Sequence, residues 1–121
     1  MFTRLKKFFT RLRPDPLWER HIVVEDRDDA IVVTDQDGVE TSVPWAELVR
    51  VEIHTTNAGP FGADVWWVLI GTSGTCKYPS AATGNAEVLK HLQELEGFDD
   101  MLVVLAMGNV GNGCVVCWER A

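Results

Sequence analysis

Two cysteines three positions apart, Cys114-Val115-Val116-Cys117, come closest in this chain to a spacing with known chemistry. Metal binding and thiol exchange both use C-x-x-C where the chain turns, so that the two sulfurs converge. Here the intervening residues are valines in a β-rich run. Positions i and i+3 of a strand point to opposite faces, so the sulfurs diverge and both are expected as buried core thiols. Cys76 is the third thiol, and no second C-x-x-C or paired-histidine motif joins it. No metal ligands or cofactor are therefore expected.

The histidines are scattered. His54 falls on the polar side of an alternating strand, where solvent exposure is expected. His91 borders a helical apolar stripe, one turn from Glu87 and from Glu94, either of which suits it as a partner. His21 opens a strand. Gly71-Thr72-Ser73-Gly74-Thr75 lacks the G-x-S-x-G spacing of a nucleophile elbow and reads as a hairpin turn. The glycines at 108, 111 and 113 precede a strand, whereas a phosphate cradle precedes a helix, so they read as a plain loop. No catalytic constellation is spelled out, and a non-enzymatic protein is expected.

Acids do cluster. Glu25, Asp26, Asp28, Asp29, Asp35, Asp37 and Glu40 load two turns with negative charge, without the ligand spacing of a calcium loop. Solvated turn residues are one reading. A docking surface for a basic partner is the other, with Asp26, Asp28, Asp29, Asp35, Asp37 and Glu40 as contacts. Phe61, on a Gly-Pro loop, joins them as a candidate aromatic anchor. Trp66 and Trp67 are neighbours on a strand and face opposite sides; one enters the core and the other needs a cover.

Charge is distributed unevenly. The 121-residue chain has a net charge of -7, yet residues 1–13 carry Arg4, Lys6, Lys7, Arg11 and Arg13 and no acid. The rest sets six bases against eighteen acids, or -12. Such a body repels nucleic-acid phosphates and attracts basic surfaces. At helical spacing Phe2, Leu5, Phe8, Phe9 and Leu12 share one face of the first segment, flanked by cations such as Lys6. Three fates are open to this amphipathic arm: docking on its own acidic body, fraying, or lying on an anionic membrane surface. Pro14 and Pro16 end it. The expected organisation is a basic arm over 1–13, a linker over 14–20 and a single acidic α+β domain over 21–121. The apolar run Val65 to Ile70 is far too short to span a bilayer. No secretory signal is read at the start, which makes the cytoplasm the expected compartment.

The elements that must hold these residues follow from periodicity. His21–Glu25, Ala30–Thr34, Gly38–Val43, Val49–Thr55, Asp64–Ile70 and Thr75–Tyr78 read as strands on short turns. Val49, Val51 and Ile53 face one side of their strand; Arg50, Glu52 and His54 face the other. One helix begins near Thr83–Asn85, capped by either residue, with Val88, Leu89, Leu92 and Leu95 as its stripe. A second spans about Asp99–Met107, starting on an acidic cap and ending at Gly108. Cys114–Trp118 is a last strand. Together these predict an antiparallel α+β sheet or partly open barrel of six to seven strands, with two helices before the final strand.

Trp45 in a turn feeding Val49-x-Val51-x-Ile53, with a helix after the strand run, resembles bacterial pleckstrin-homology-like domains over residues 21–96. The helix pair and last strand depart from that pattern. In size and acidity the chain also resembles bacterial immunity proteins that neutralise toxins. The function expected is a non-enzymatic interaction module whose acidic surface binds a basic protein, with toxin immunity as one case. A peripheral membrane adaptor anchored by the arm and a small-molecule-binding domain are the alternatives.

Overall fold

The computed structural model describes residues 21–56, 65–108 and 112–120. The arm residues Phe2, Leu5, Lys6, Phe8, Phe9 and Leu12, the 14–20 linker and Phe61 lie outside the described residues. Seven strands and two helices run in chain order as β1 (Val23–Asp26), β2 (Ala30–Thr34), β3 (Glu40–Pro44), β4 (Leu48–Thr55), β5 (Val65–Gly71), β6 (Thr75–Pro79), α1 (Asn85–Gln93), α2 (Asp100–Met107) and β7 (Gly113–Glu119). The class is α+β, as expected. The strands form two antiparallel sheets, β1-β2-β3 and β6-β5-β4-β7, instead of a closed barrel.

Short-range chemistry sets the first sheet. Asp28, at φ +66°, turns β1 into β2, and its amide donates to Asp26 Oδ1 at 3.1 Å. Asp35 Oδ1 accepts from the amides of Asp37 at 2.8 Å and Val39 at 3.0 Å, closing the next hairpin around Gly38 at φ +83°. Such side-chain-to-backbone bonds are why Asp and Gly recur in tight turns. A 3-10 turn, Trp45–Glu47, then carries the chain into the second sheet.

Inward-facing residues of both sheets meet in one core, with β3 against β5 and β6, and β2 against β6. Trp67, Tyr78, Ile31, Leu48, Ile53, Leu69 and Leu92 are fully buried there. Each such side chain contributes roughly 1.5–3 kcal/mol by leaving water. Trp67 is buried while Trp66 stands on the other face beside the Lys77 ammonium, 5.3 Å from its ring centre, as strand alternation requires.

After β6 the chain returns along β1. Thr83 O accepts from the Val24 amide, and the Thr83 amide donates to Ile22 O, both at 2.9 Å. α1 then begins at Gly84, which has φ +92° and makes no side-chain cap. Neither Thr83 nor Asn85 is the cap expected from sequence, because backbone crowding against Val24 decides this corner. Asn85 donates instead to Ser80 O at 2.9 Å. The second helix start is as expected: Asp99 Oδ1 accepts from the amides of Met101 and Leu102. α1 packs on β1, and α2 on β7 and β4. Among the described residues no helix is long and apolar enough to cross a membrane.

Candidate functional site

Strand order assembles the most reactive group of side chains. β4 is flanked by β5 and β7, so its outward residues Arg50, Glu52 and His54 meet residues from both neighbours. Pairing with β7 shifts between Val51, opposite Trp118, and Glu52, opposite Val116, which leaves Cys117 as an extra residue. This β-bulge advances the register by one and places Cys114 opposite His54. Cys117 and Trp118 are buried, while Cys114 is exposed. The two thiols diverge as expected, but Cys114 is not the buried core thiol expected from its valine neighbours; it lies on the outer face.

Glu52 is the centre of this group and is only 7% exposed. Its Oε1 lies 2.7 Å from His54 Nε2 and accepts from the Cys114 thiol at 3.4 Å, while Oε2 accepts from Arg50 Nε at 2.7 Å. Arg50 also donates to Glu119 at 3.2 Å. The His54 contact holds the Glu52 carboxyl below its usual range, against burial, with Cys114 and Arg50 assisting. Burial pushes the Cys114 thiol up, and the Glu52 carboxylate beside it adds to the rise. That is the reverse of an activated nucleophile, which needs a positive neighbour. His54 Nε2 meets the carboxylate, so no Cys–His nucleophile–base pair is assembled here.

A second group ties the two halves of the fold together. Asp26 Oδ2 is 2.6 Å from His91 Nδ1, and Asp26 Oδ1 accepts from Trp45 Nε1 at 2.9 Å. His91 stacks on Trp45 with ring centres 3.6 Å apart. Helical spacing offered His91 a partner in Glu87 or Glu94; its partner is Asp26, 65 residues away, because α1 packs on β1.

The acidic residues singled out by sequence fall into two places. Antiparallel pairing puts the 27–29 turn and the 35–39 turn at opposite ends of β2, about 20 Å apart at about 3.4 Å per residue. Asp26 is engaged with His91 and Trp45, and Asp35 with its own turn. Glu40 pairs with Arg27 at 3.2 Å, which also reaches Glu25 at 3.1 Å. Asp28, Asp29 and Asp37 are exposed.

Sequence reasoning passed over a third surface. α2 reads Asp-Met-Leu-Val-Val-Leu-Ala-Met, seven apolar residues in eight, yet only Ala106 is buried. Leu102 and Val103 pack partly on the core. Met101, Val104 and Leu105 stand out at 65%, 64% and 61% exposure, one stripe at helical spacing. Residues 93–108 include Glu94, Glu96, Asp99 and Asp100 and no Lys or Arg. The signal available in the sequence was a helix apolar all round, which belongs inside a structure. No protein family, no curated protein and no solved structure matches this chain.

Proposed function

We propose that this domain is a non-enzymatic binding module that docks a basic, amphipathic protein segment across α2. The observation that supports this reading is the exposed Met101, Val104 and Leu105 stripe on a segment, residues 93–108, whose charged residues are all acids. Apolar stripe and acidic border together match a helix with one apolar face and cationic flanks. An anionic membrane would seat the stripe but repel Glu94, Glu96, Asp99 and Asp100, so a protein partner is favoured. Neutralisation of a basic toxin is one function with this chemistry. The acidic turns at the two ends of β2 contribute long-range attraction for the same partner.

The test is binding of a fluorescent Lys/Leu amphipathic peptide to the full chain, followed by anisotropy, with a Glu/Leu peptide as control. The cationic peptide should bind, and a V104D/L105D variant should weaken it by more than about tenfold, the size of losing two apolar anchors. Added salt should weaken it further. Equal binding of both peptides, or indifference to the double substitution, would refute the reading. Both sites are exposed, so the variant should keep wild-type stability to within about 0.5 kcal/mol.

A further inference from the structure

The Glu52 group brings together three side chains of types that ligate metals. One carboxylate oxygen, one imidazole nitrogen and one sulfur, from Glu52, His54 and Cys114, lie within 4.8 Å of one another. They come from two strands, and the β7 bulge is what brings the sulfur to the others. Oxygen, nitrogen and thiolate sulfur together are the donor set of zinc and its chemical neighbours; calcium and magnesium take oxygen, and copper(I) avoids carboxylate.

The geometry is close to what such an ion needs. Tetrahedral coordination at about 2.0–2.3 Å spaces its ligands about 3.4–3.6 Å apart. The Glu52–Cys114 separation is already 3.4 Å, and Glu52–His54 must open from 2.7 Å by less than about 1 Å. Glu52 is also supported as metal-bound carboxylates are: Arg50 holds Oε2 and leaves Oε1 toward the other donors. Glu119 in turn offsets the charge of Arg50. With a divalent ion and a Cys114 thiolate, the five side chains and the ion sum to zero charge.

We propose that Glu52, His54 and Cys114 bind one divalent ion of the zinc class, which clamps the edge strand β7 to β4 and keeps a fourth coordination position for an exogenous ligand. The cysteine motif points away from it by pairing the wrong two thiols: Cys114 belongs with His54, not with Cys117. This proposal is independent of what α2 binds.

Cobalt(II) is the probe, since its spectrum reports both sulfur ligation and tetrahedral geometry. The full chain, purified reduced and metal-free, should take up one equivalent, with a near-ultraviolet thiolate-to-cobalt band and intense visible bands that zinc bleaches. Cys114→Ser should abolish the thiolate band. Cys114→Ser and His54→Gln should each weaken binding by more than the roughly 10–100-fold seen when a supporting group is lost. A C76A/C117A variant should keep the spectrum. Zinc should raise the melting temperature of the wild type and not of Cys114→Ser. No thiolate band in folded wild type, or a band that survives Cys114→Ser and vanishes in C76A/C117A, would overturn the proposal. Both substituted ligands are partly or wholly exposed, and circular dichroism confirms that each variant is folded.

Discussion

Removing the Asp26 carboxylate should unfasten β1 from α1. Asp26 accepts three hydrogen bonds: from His91 Nδ1 at 2.6 Å, from Trp45 Nε1 at 2.9 Å and from the Asp28 amide at 3.1 Å. The 2.6 Å contact with an acceptor-only carboxylate puts the proton on Nδ1. Bonds to a charged group contribute about 1.5–3 kcal/mol net, neutral ones about 0.5–1.5. The Asp26 and His91 side chains are 22% and 32% exposed, so water can replace part of what is lost. Asp26→Ala should therefore cost about 2 kcal/mol at pH 7, and Asp26→Asn, which keeps an acceptor, about half that. At about 4 °C per kcal/mol for a chain of 121 residues, the alanine variant melts about 8 °C lower.

The effect must also depend on pH. Burial alone would raise the Asp26 carboxyl, but the His91 and Trp45 hydrogen bonds, the His91 charge and the Asp28 amide outweigh it and hold it below its usual value. A depressed carboxyl contributes stability above the unfolded pKa of about 3.9 and loses it as pH falls through the folded value. Urea unfolding followed by tryptophan fluorescence should give the full difference between wild type and Asp26→Ala at pH 7, nearly the same at pH 5, and a smaller one below pH 4. A difference under about 0.5 kcal/mol at pH 7, or one that persists unchanged at low pH, would refute the reasoning.

Two other outcomes are expected. Gly84→Ala places a Cβ 2.1 Å from Val24 O at a φ of +92°, a collision with backbone that cannot swing aside, so stability should fall by about 3 kcal/mol or more, read by the same urea unfolding. Burial pushes the Cys76 and Cys117 thiols up to about 11, and for Cys117 the Asp99 and Cys114 charges add to it. Iodoacetamide on the native protein at pH 8 should thus modify Cys114 alone, and all three thiols once urea unfolds the chain; native labelling at Cys76 or Cys117, mapped by peptide mass, would contradict the burial argument.

Local rules made the strands readable. Ala30–Thr34 was legible because β-branched residues sit between two Asp-rich turns, and Val51 and Ile53 are buried as the alternation requires. The acidic cap at Asp99 was legible for the same reason: its bonds reach only two and three residues on. Glu52 was not, since alternation assigns it to the polar face and says nothing of what lies beside it. Val68 and Val116, its neighbours on β5 and β7, come from strands whose order only tertiary packing decides. His54 opposite Cys114 depends on that order and on the bulge at Cys117. His91 likewise finds Asp26 through the packing of α1 on β1.

The charge of the chain invited a search among its densest acids, and the fold gives a physical reason to look elsewhere. Asp26, Asp35, Glu40 and Glu47 all hold hydrogen bonds within the domain, Glu47 through Thr72 and Ser73. A carboxylate already satisfied this way gains little from a new cation, because forming one bond strains or breaks another. Asp28, Asp29 and Asp37 stand on exposed turns, so contacts made by their charges alone remain screened and weak. Around α2 the balance differs. Met101, Val104 and Leu105 would give up unfavourable contact with water on docking, and excluding that water would strengthen charge pairing made nearby. Under the proposed function, attraction would act through the whole acidic body, whereas affinity would be concentrated on one short helix. Salt should therefore slow association more than it speeds dissociation, and V104D/L105D should do the reverse.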